Sequence, residues 1–313
     1  MAGTVALTGA NGFVGRVLTE RLLASGWQVR ALLRRPAPDL TAMGAVPVPG
    51  ALEQRESLDR LVEGADAVVH CAGLVRARNR AEFMSVNAEG TARVTDAAAA
   101  RPQPPRFLLI SSLAAREPAI SAYAASKYGA EEAVAAHGAT LEHCVLRPPA
   151  IYGPGDRATL PLFRQLARGF LFVPKVPGAR FSLLHVADLA AAVERLLAVP
   201  SWPGRVVELD DGRPGGYGWS DLLDAAGRHL GRPMRPVAVP RWVLGGPAGV
   251  NQWLCAACGR ATDFSPGKIS EFFHPDWVAR ASADGPLAAW RARVTFEIGF
   301  PATFDWYRAK GWL

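Results

Sequence analysis

The first part of the chain is a short apolar run followed by a longer amphipathic stretch. Residues 4–8 form the apolar run, which predicts a buried strand. After a glycine-rich turn, apolar residues recur at helical spacing and predict the buried face of a helix, formed by Leu18, Leu22 and Leu23. Another helical run extends from Tyr123 to Ala136. The order strand, glycine loop, helix indicates a nucleotide-binding α/β fold.

The glycine loop has the spacing G-x-x-G-x-x-G. Gly9 allows a tight turn, Gly12 lets a phosphate approach the backbone, and Gly15 allows close packing of the helix against the strand. The N-terminus of the helix then faces the phosphates. The alternative is an ordinary turn between a strand and a helix. We predict a cofactor-binding loop that consists of Gly9, Asn11, Gly12, Phe13, Val14 and Gly15.

Tyr123 and Lys127 are four residues apart in the second helical run, so both side chains lie on one helix face. A neighbouring ammonium favours phenolate, lowers the pKa of a tyrosine and makes it a usable proton donor. The alternative is two exposed helix residues with no chemical role. The glycine loop earlier in the chain favours the catalytic interpretation.

Composition and length are those of a soluble protein of one or two domains. The chain has 313 residues, of which 50% are hydrophobic and 20% charged. The net charge is +7, and the arginines are scattered along the chain. This charge indicates either a solvated surface or contact with anionic ligands or the inner membrane face. No run of basic and aromatic residues indicates nucleic-acid binding.

The cysteines and the apolar runs bear on location and on metal binding. Cys255 and Cys258 form a lone C-x-x-C, which lacks the second pair of a structural zinc site; packing or a redox pair remains. Few cysteines and no signal peptide predict a cytoplasmic protein. The most apolar stretch, 237–258, contains Arg241 and two prolines, so we predict no transmembrane helix. Because the cysteine pair has no second pair to complete a ligand set, we also predict no metal site.

Further motifs follow in a fixed order at residues 66–73, 86–91, 107–112, 123–127, 146–156 and 185–189. With the glycine loop, they resemble the extended branch of the short-chain dehydrogenase/reductase superfamily. The resemblance implies an α/β Rossmann fold, a doubly wound parallel sheet with a smaller C-terminal substrate lobe. It implies a dinucleotide-binding domain over 1–154 and 180–200, and a substrate-binding lobe over 155–179 and 201–313. Dimers are common in this branch, which implies a dimer by analogy.

The same resemblance implies a catalytic set. Tyr123 would protonate a carbonyl oxygen, Lys127 would lower the tyrosine pKa and bind the nicotinamide ribose, and Ser112 would donate a hydrogen bond to that oxygen. Strand alternation points only one of Ser111 and Ser112 toward the site, and we prefer Ser112 because the serine of the family it resembles usually comes second in such a pair. Ser111 would then satisfy backbone groups. Asn87 is expected to tie a helix to a strand.

Cofactor choice depends on the residues after the second strand. NAD-binding proteins place an acidic residue there, whereas this chain has Arg34 and Arg35, which would pair with the 2′-phosphate of NADP(H). A pair of surface arginines is the alternative, and NAD(H) remains open. Ala51 stands where the family often has an aspartate that serves the adenine. The resemblance adds further cofactor contacts at Leu52, Ala72, Tyr123, Pro148 and Ile151.

The substrate is expected to be a large hydrophobic ketone. Aromatic and apolar residues are frequent at 163–173, 235–254 and 269–278, and residues 180–185 lack the acid common in nucleotide-sugar epimerases. Residues 273–278 and the ending 311–313 resemble the bacterial 3-ketoceramide reductases, which implies a lipid ketone. Two alternatives remain: a nucleotide-sugar epimerase or dehydratase with tightly bound NAD, and a non-catalytic dinucleotide-binding protein.

Replacing Arg34 by alanine should reduce the preference for NADPH over NADH, because the variant loses a charge-assisted contact with the 2′-phosphate. Titration of both reduced cofactors into wild type and Arg34→Ala measures that preference. We expect a loss of about tenfold or more, the effect of about 1.4 kcal/mol. An unchanged ratio of the two dissociation constants would show that Arg34 is an ordinary surface residue.

Overall fold

The computed structural model describes residues 3–202, 204–262, 264–280 and 287–313. These residues form two compact units. The first unit consists of the described residues within 1–147, 190–208 and 282–290. The second consists of those within 148–189, 209–281 and 291–313.

The strands, numbered in chain order, are β1 (Thr4–Thr8), β2 (Gln28–Leu33), β3 (Val46–Pro49), β4 (Ala67–His70), β5 (Arg106–Ile110), β6 (His143–Arg147), β7 (Ala150–Tyr152), β8 (Phe170–Pro174), β9 (Arg180–Phe181), β10 (Leu183–His185), β11 (Arg205–Glu208), β12 (Arg235–Val239) and β13 (Asp276–Trp277). The predicted first strand is β1. Its pattern of buried residues matches an interior strand.

The α-helices are α1 (Phe13–Ala24), α2 (Pro38–Met43), α3 (Arg55–Val62), α4 (Arg80–Phe83), α5 (Gly90–Ala99), α6 (Ala122–Ala135), α7 (Leu160–Ala167), α8 (Val186–Ala198), α9 (Trp219–Leu230), α10 (Arg241–Ala257), α11 (Pro266–Phe272) and α12 (Phe296–Ala309). A π-helical segment, Met84–Glu89, joins α4 to α5, and a 3₁₀ turn, Leu113–Arg116, follows β5. Among the described residues, no helix combines the length and apolarity needed to cross a membrane.

The first unit is built on a seven-stranded sheet in the order β11-β6-β5-β4-β1-β2-β3. Every neighbouring pair is parallel, and in the central pair Val5 faces Ala67. A parallel sheet requires crossover helices and cover on both faces, so its central strands are apolar along their whole length. The order reverses beside β1, which is the usual position of a ligand site in such sheets. The predicted doubly wound Rossmann fold is confirmed.

The core of the first unit lies between the sheet and helices α3, α5 and α6. Side chains from these helices and from β4 and β5 form one apolar cluster, in which Leu58, Val94 and Phe107 have no exposed surface. This packing holds α6, and therefore the Tyr123–Lys127 pair, against the carboxyl ends of the strands.

The second unit has short two-stranded parallel sheets, β7 with β10, β8 with β12 and β9 with β13. Its core is aromatic: the rings of Phe163 and Phe300 stack with centroids 5.1 Å apart, and Tyr307 meets Phe163 edge-on at the same distance. Short strands supply little sheet, so burial of these large rings is its main source of stability.

The boundaries of the two units differ from the predicted domain boundaries. Residues 205–208 were placed in the substrate lobe, yet they form β11, which pairs in register with β6 on the central sheet. Residues 180–189 were placed in the nucleotide domain, yet they group with the second unit. A four-residue strand carries too little pattern to show from sequence which sheet it joins.

Phe300→Ala should lower the free energy of unfolding by about 3–5 kcal/mol, because Phe300 is fully buried between aromatic rings and alanine leaves a cavity. The matched control is Ile298→Ala on the same helix, where 61% of the side chain is exposed. That change should cost less than about 0.5 kcal/mol. Urea titration of both variants tests the prediction. Equal losses would contradict the packing of α12 described above.

Candidate active site

The glycine loop joins β1 to α1 with tight backbone packing on one side. Gly9 has φ of 75°, a conformation that favours glycine, and an added Cβ would lie 2.7 Å from the backbone nitrogen of Ala72. Gly15 is buried, and a Cβ there would overlap the carbonyl group of Gly9. At Gly12, which caps α1, the nearest atom to an added Cβ is the Gly9 oxygen at 3.3 Å. The loop is therefore closed toward the sheet and open at Gly12.

Asn11 and Gly12 are exposed, and Phe13 and Val14 are half-buried in the first turn of α1. The first N–H groups of a helix have no acceptor within it, and they carry the positive end of the helix dipole. A phosphate could approach these groups at Gly12 without meeting a side chain.

Tyr123 lies in the first turn of α6. This helix begins after Ser121, whose hydroxyl accepts a hydrogen bond from the Ala124 N–H at 2.9 Å. The Tyr123 side chain is half-buried, and its ring lies 5.9 Å from that of Phe83 between centroids. A capped and packed first turn fixes the direction in which the phenol points.

Lys127 lies one turn further along α6 and is buried. Its ammonium donates a hydrogen bond of 2.7 Å to the carbonyl oxygen of Ile110, the last residue of β5. Burial lowers the pKa of Lys127 to about 8, against smaller opposing effects of Cys71 and Glu131. A Cβ added to Gly73 would lie 3.8 Å from the Lys127 nitrogen, so the chain after β4 passes close to this amine.

Ser111 and Ser112 have different partners. Ser112 is half-buried before the 3₁₀ turn Leu113–Arg116, and its oxygen accepts a hydrogen bond from the Ala114 N–H at 3.2 Å. Its hydroxyl proton can therefore be donated to a ligand. Ser111 is buried and donates to the carboxylate of Glu131 rather than to the backbone groups that we had expected.

A chain of buried hydrogen bonds runs from the end of β1 to α5. The Thr91 hydroxyl donates a hydrogen bond of 2.6 Å to the carbonyl oxygen of Asn87. Because its one proton is used there, the Thr91 oxygen accepts a hydrogen bond of 3.0 Å from the Nε2–H of His70. Nδ1 of His70 then accepts the hydroxyl proton of Thr8 at 2.7 Å, and Thr8 accepts the Ala72 N–H. This order of donors defines one tautomer of His70.

His70 is neutral at pH 7, because burial lowers its pKa to about 3 and the charge of Lys127 acts in the same direction. Both of its ring nitrogens are hydrogen-bonded. His70 is therefore a packed and fully hydrogen-bonded histidine at the end of β4. It holds the backbone after β4 against the glycine loop through Thr8 and Ala72.

Asn87 connects the segment after β4 to α6. Its amide oxygen accepts the Leu74 N–H at 2.6 Å, and its amide nitrogen donates to the Leu74 carbonyl at 3.0 Å and to Ser126 at 2.8 Å. Ser126 in turn donates to the carbonyl oxygen of Tyr123. Asn87 is thus a structural tie that links α6 to a loop rather than to a strand.

A second charged group, not expected from the sequence, lies along α6 from Lys127. Glu131 is buried, and Arg147 at the end of β6 forms a two-pronged pair with it, at 2.6 Å between Nη2 and Oε2 and 2.9 Å between Nε and Oε1. This hydrogen bonding raises the pKa of Arg147. Arg147 also lies 3.9 Å from Glu208 of β11, which pairs with Arg116 at 3.5 Å. The sequence signal was the further four-residue step from Lys127 to Glu131.

The remaining predicted residues fall into three groups. Arg34 and Arg35 are exposed directly after β2, where the predicted cofactor contact requires them. Leu52 is buried in the apolar core, with its side chain against Gly90, and Ala72 is half-buried after β4. Pro148 and Ile151 belong to the second unit, Ile151 within β7.

The described residues contain no cluster of three or more His, Cys, Asp or Glu side chains that could hold a metal ion. Cys255 and Cys258, at the end of α10, are both free thiols. Cys255 contacts the amide oxygen of Asn251 at a distance of 3.8 Å.

The first unit offers the features that a dinucleotide needs. The glycine loop is open at Gly12 and faces a helix N-terminus, and two exposed arginines follow β2. The Lys127 ammonium lies beside the chain after β4. These residues fit the pyrophosphate, a 2′-phosphate and the nicotinamide ribose, respectively.

Comparison with known proteins agrees with this geometry. Residues 5–208 match the model of the NAD dependent epimerase/dehydratase family. The chain is 40% identical to a ceramide reductase of Caulobacter vibrioides, over 99% of this chain and 96% of the relative. It is 37% identical to 4-hydroxy-2-methyl-3-oxo-4-farnesyl-3,4-dihydroquinoline-1-oxide ketoreductase of Stigmatella aurantiaca, over 66% of this chain and 68% of the relative. A UDP-glucuronic acid 4-epimerase of Bacillus cereus, solved with NAD, has the same fold with a TM-score of 0.75. It is 16% identical to this chain, and the match covers 98% of this chain and 99% of the epimerase.

Glu131→Gln should lower the pKa of Lys127 below its value of about 8, because the carboxylate charge raises that pKa and the amide does not. The chain has four lysines, so a ¹³C NMR titration of lysine-labelled protein can follow each side chain, with Lys127→Arg to assign the signal. Glu132→Gln, an exposed neighbour on α6, is the matched control and should leave the midpoint unchanged. An unshifted Lys127 midpoint in Glu131→Gln would contradict the coupling.

Proposed function

Because the chain belongs to the NAD dependent epimerase/dehydratase family, the extended short-chain dehydrogenases/reductases, we propose that it reduces the ketone of a large, lipid-like substrate with NADPH. The enzyme class is that of an NAD(P)-dependent oxidoreductase. The observation that carries the substrate proposal is the 40% identity to a ceramide reductase along almost the whole of both chains. A second relative is a ketoreductase whose named substrate carries a farnesyl chain.

The proposed division of labour follows the two units. The first unit, with the glycine loop and α6, binds the dinucleotide, and the second binds the substrate. The core of the second unit is built of aromatic and aliphatic side chains, and a site for an apolar ligand needs a lining of the same kind. A 3-ketosphingolipid such as a 3-ketoceramide is the substrate type that we favour.

The residues of α6 and β5 carry the proton transfer. The reduced cofactor, when bound, supplies hydride to the carbonyl carbon. Tyr123 gives its proton to the carbonyl oxygen, so the product is a secondary alcohol. Ser112 donates a hydrogen bond to the same oxygen as negative charge develops on it. Lys127, while protonated, stabilises the phenolate that Tyr123 leaves behind.

Arg34 and Arg35 support NADPH rather than NADH as the reductant. Both guanidinium groups are exposed at the end of β2, and no acidic side chain occupies that place in the sequence. A carboxylate there would repel a 2′-phosphate, whereas arginine binds it through two hydrogen bonds.

Tyr123→Phe should lower kcat for ketone reduction by about 10²–10⁴-fold, because the variant has no proton to donate. NADPH consumption with a 3-ketoceramide, a steroid ketone and a nucleotide sugar measures turnover and substrate class. Tyr128→Phe is the matched control, since Tyr128 lies on the same helix and is 39% exposed. Both variants should still bind NADPH.

Two outcomes would overturn the proposal. Full turnover by Tyr123→Phe would remove Tyr123 as the proton donor. Release of NAD from the denatured wild-type protein, with conversion of a nucleotide sugar and no net cofactor consumption, would instead establish an epimerase.

A further inference from the structure

Helix α10 carries an apolar stripe on its outward face. Trp242 and Trp253 are 80% and 70% exposed, the highest values among the large hydrophobic side chains described as exposed. Val250 and Leu254 lie between or beside them and are 60% and 51% exposed. Residues 242, 246, 250 and 253 follow helical spacing along one face, with Gly246 adding no side chain.

The opposite face of α10 is already covered. Ala248 is fully buried and packs with Ile269 and Phe273 in a small apolar cluster that includes Leu244. Asn251 donates hydrogen bonds to Thr262 and to the carbonyl oxygen of Phe264. One face of α10 is therefore packed against the rest of the unit. The outward stripe is a separate face of the same helix and does not belong to that small core.

An outward face of this composition is unusual for a helix in water. A surface helix normally shows charged residues on its outer side, whereas α10 has only one charged residue, Arg241 at its start. Large exposed apolar patches mark contact with another surface.

The stretch of sequence that contains α10 carries charge of one sign. From Ala225 to Thr262 the sequence contains no Asp or Glu. It contains five arginines, all exposed: Arg228, Arg232, Arg235, Arg241 and Arg260. Within the described part of the chain, none of the five forms an ion pair with a carboxylate.

We propose that α10 docks on the surface of an anionic lipid bilayer, with Trp242, Val250, Trp253 and Leu254 inserted at the level of the headgroups. Tryptophan favours this level, because its ring is apolar and its N–H remains hydrated. Arg241 at the start of α10 and the other arginines of this stretch are attracted to anionic headgroups, an effect worth about 1 kcal/mol for each basic residue near the surface. The helix lies in the interface and does not span it.

Charge favours a bilayer over a second copy of the chain. A symmetric dimer through the stripe would bring the arginine-rich stretches of both copies together without an acidic partner. An anionic surface offers the opposite charge to these arginines. The arrangement also suits the proposed function, since a lipid ketone is dissolved in a bilayer, but docking does not depend on that function.

Flotation with vesicles tests docking without cofactor, substrate or turnover. The protein is mixed with phosphatidylcholine vesicles and with vesicles of 70% phosphatidylcholine and 30% phosphatidylglycerol. The variant is Trp242→Ala/Trp253→Ala. The matched control is Met43→Ala/Ile298→Ala, which removes two large exposed side chains elsewhere, 45% and 61% exposed. Far-UV circular dichroism that matches wild type confirms that both variants are folded.

Wild type and the control should bind the anionic vesicles, and the tryptophan variant should bind at least about tenfold more weakly, because it loses two large interfacial side chains. Binding should also weaken at 1 M salt, where the screening length falls to about 3 Å. Equal binding by wild type and the tryptophan variant would overturn the proposal. Failure of wild type to bind the vesicles would also overturn it. A wild-type dimer that the same substitutions convert to a monomer would instead identify a second copy of the chain as the occupant of the stripe.

These outcomes are distinct from failure of the proposed reductase activity. Loss of ketone reduction with intact vesicle binding would reject the reaction and leave docking standing. Reduction of a detergent-dispersed ketone without vesicle binding would reject docking and leave the proposed reaction standing.

Discussion

The buried ammonium of Lys127 is the constraint on which the arrangement of the first unit depends. A buried amine costs free energy unless it is hydrogen-bonded, and here it donates a hydrogen bond to the Ile110 carbonyl at the end of β5. That bond requires α6 to lie across the carboxyl end of the sheet. One turn away, the Glu131 carboxylate adds negative charge to the same helix. The helix that presents Tyr123 is thus located by its own charged residues as well as by its apolar face.

Two buried polar networks support this helix from different sides. The network through His70 and Asn87 runs from β1 by way of α5 to the first turn of α6. The network through Glu131 and Arg147 joins α6 to β6 and continues to Glu208 on β11. Buried polar groups without partners cost more than such networks contribute, so each member restricts the positions of its neighbours. The position of α6 is therefore held by several elements far apart in the sequence.

The second unit uses aromatic packing where the first uses a sheet. Stacked rings around Phe300 supply its core, and the same abundance of apolar side chains continues on to the outside of α10. The apolar segment 235–254 was among those that led us to expect a hydrophobic substrate. The structure divides it: Ala248 and its neighbours are core, while Trp242 and Trp253 point outward. Hydrophobic residues in a sequence therefore do not by themselves distinguish a core from a surface for contact.

The sequence alone determined the fold class, the glycine loop and the Tyr123–Lys127 pair, because each depends on spacing within a few residues. Strand periodicity, a glycine turn and a four-residue helical step are local, so they can be read without knowing where the chain goes next. Tertiary structure alone decided the partners of Ser111, the Glu131–Arg147 pair, the place of β11 and the outward face of α10. Each of these joins residues far apart in the chain or depends on which face is covered. Such choices follow from the packing of the whole fold, which no local pattern encodes.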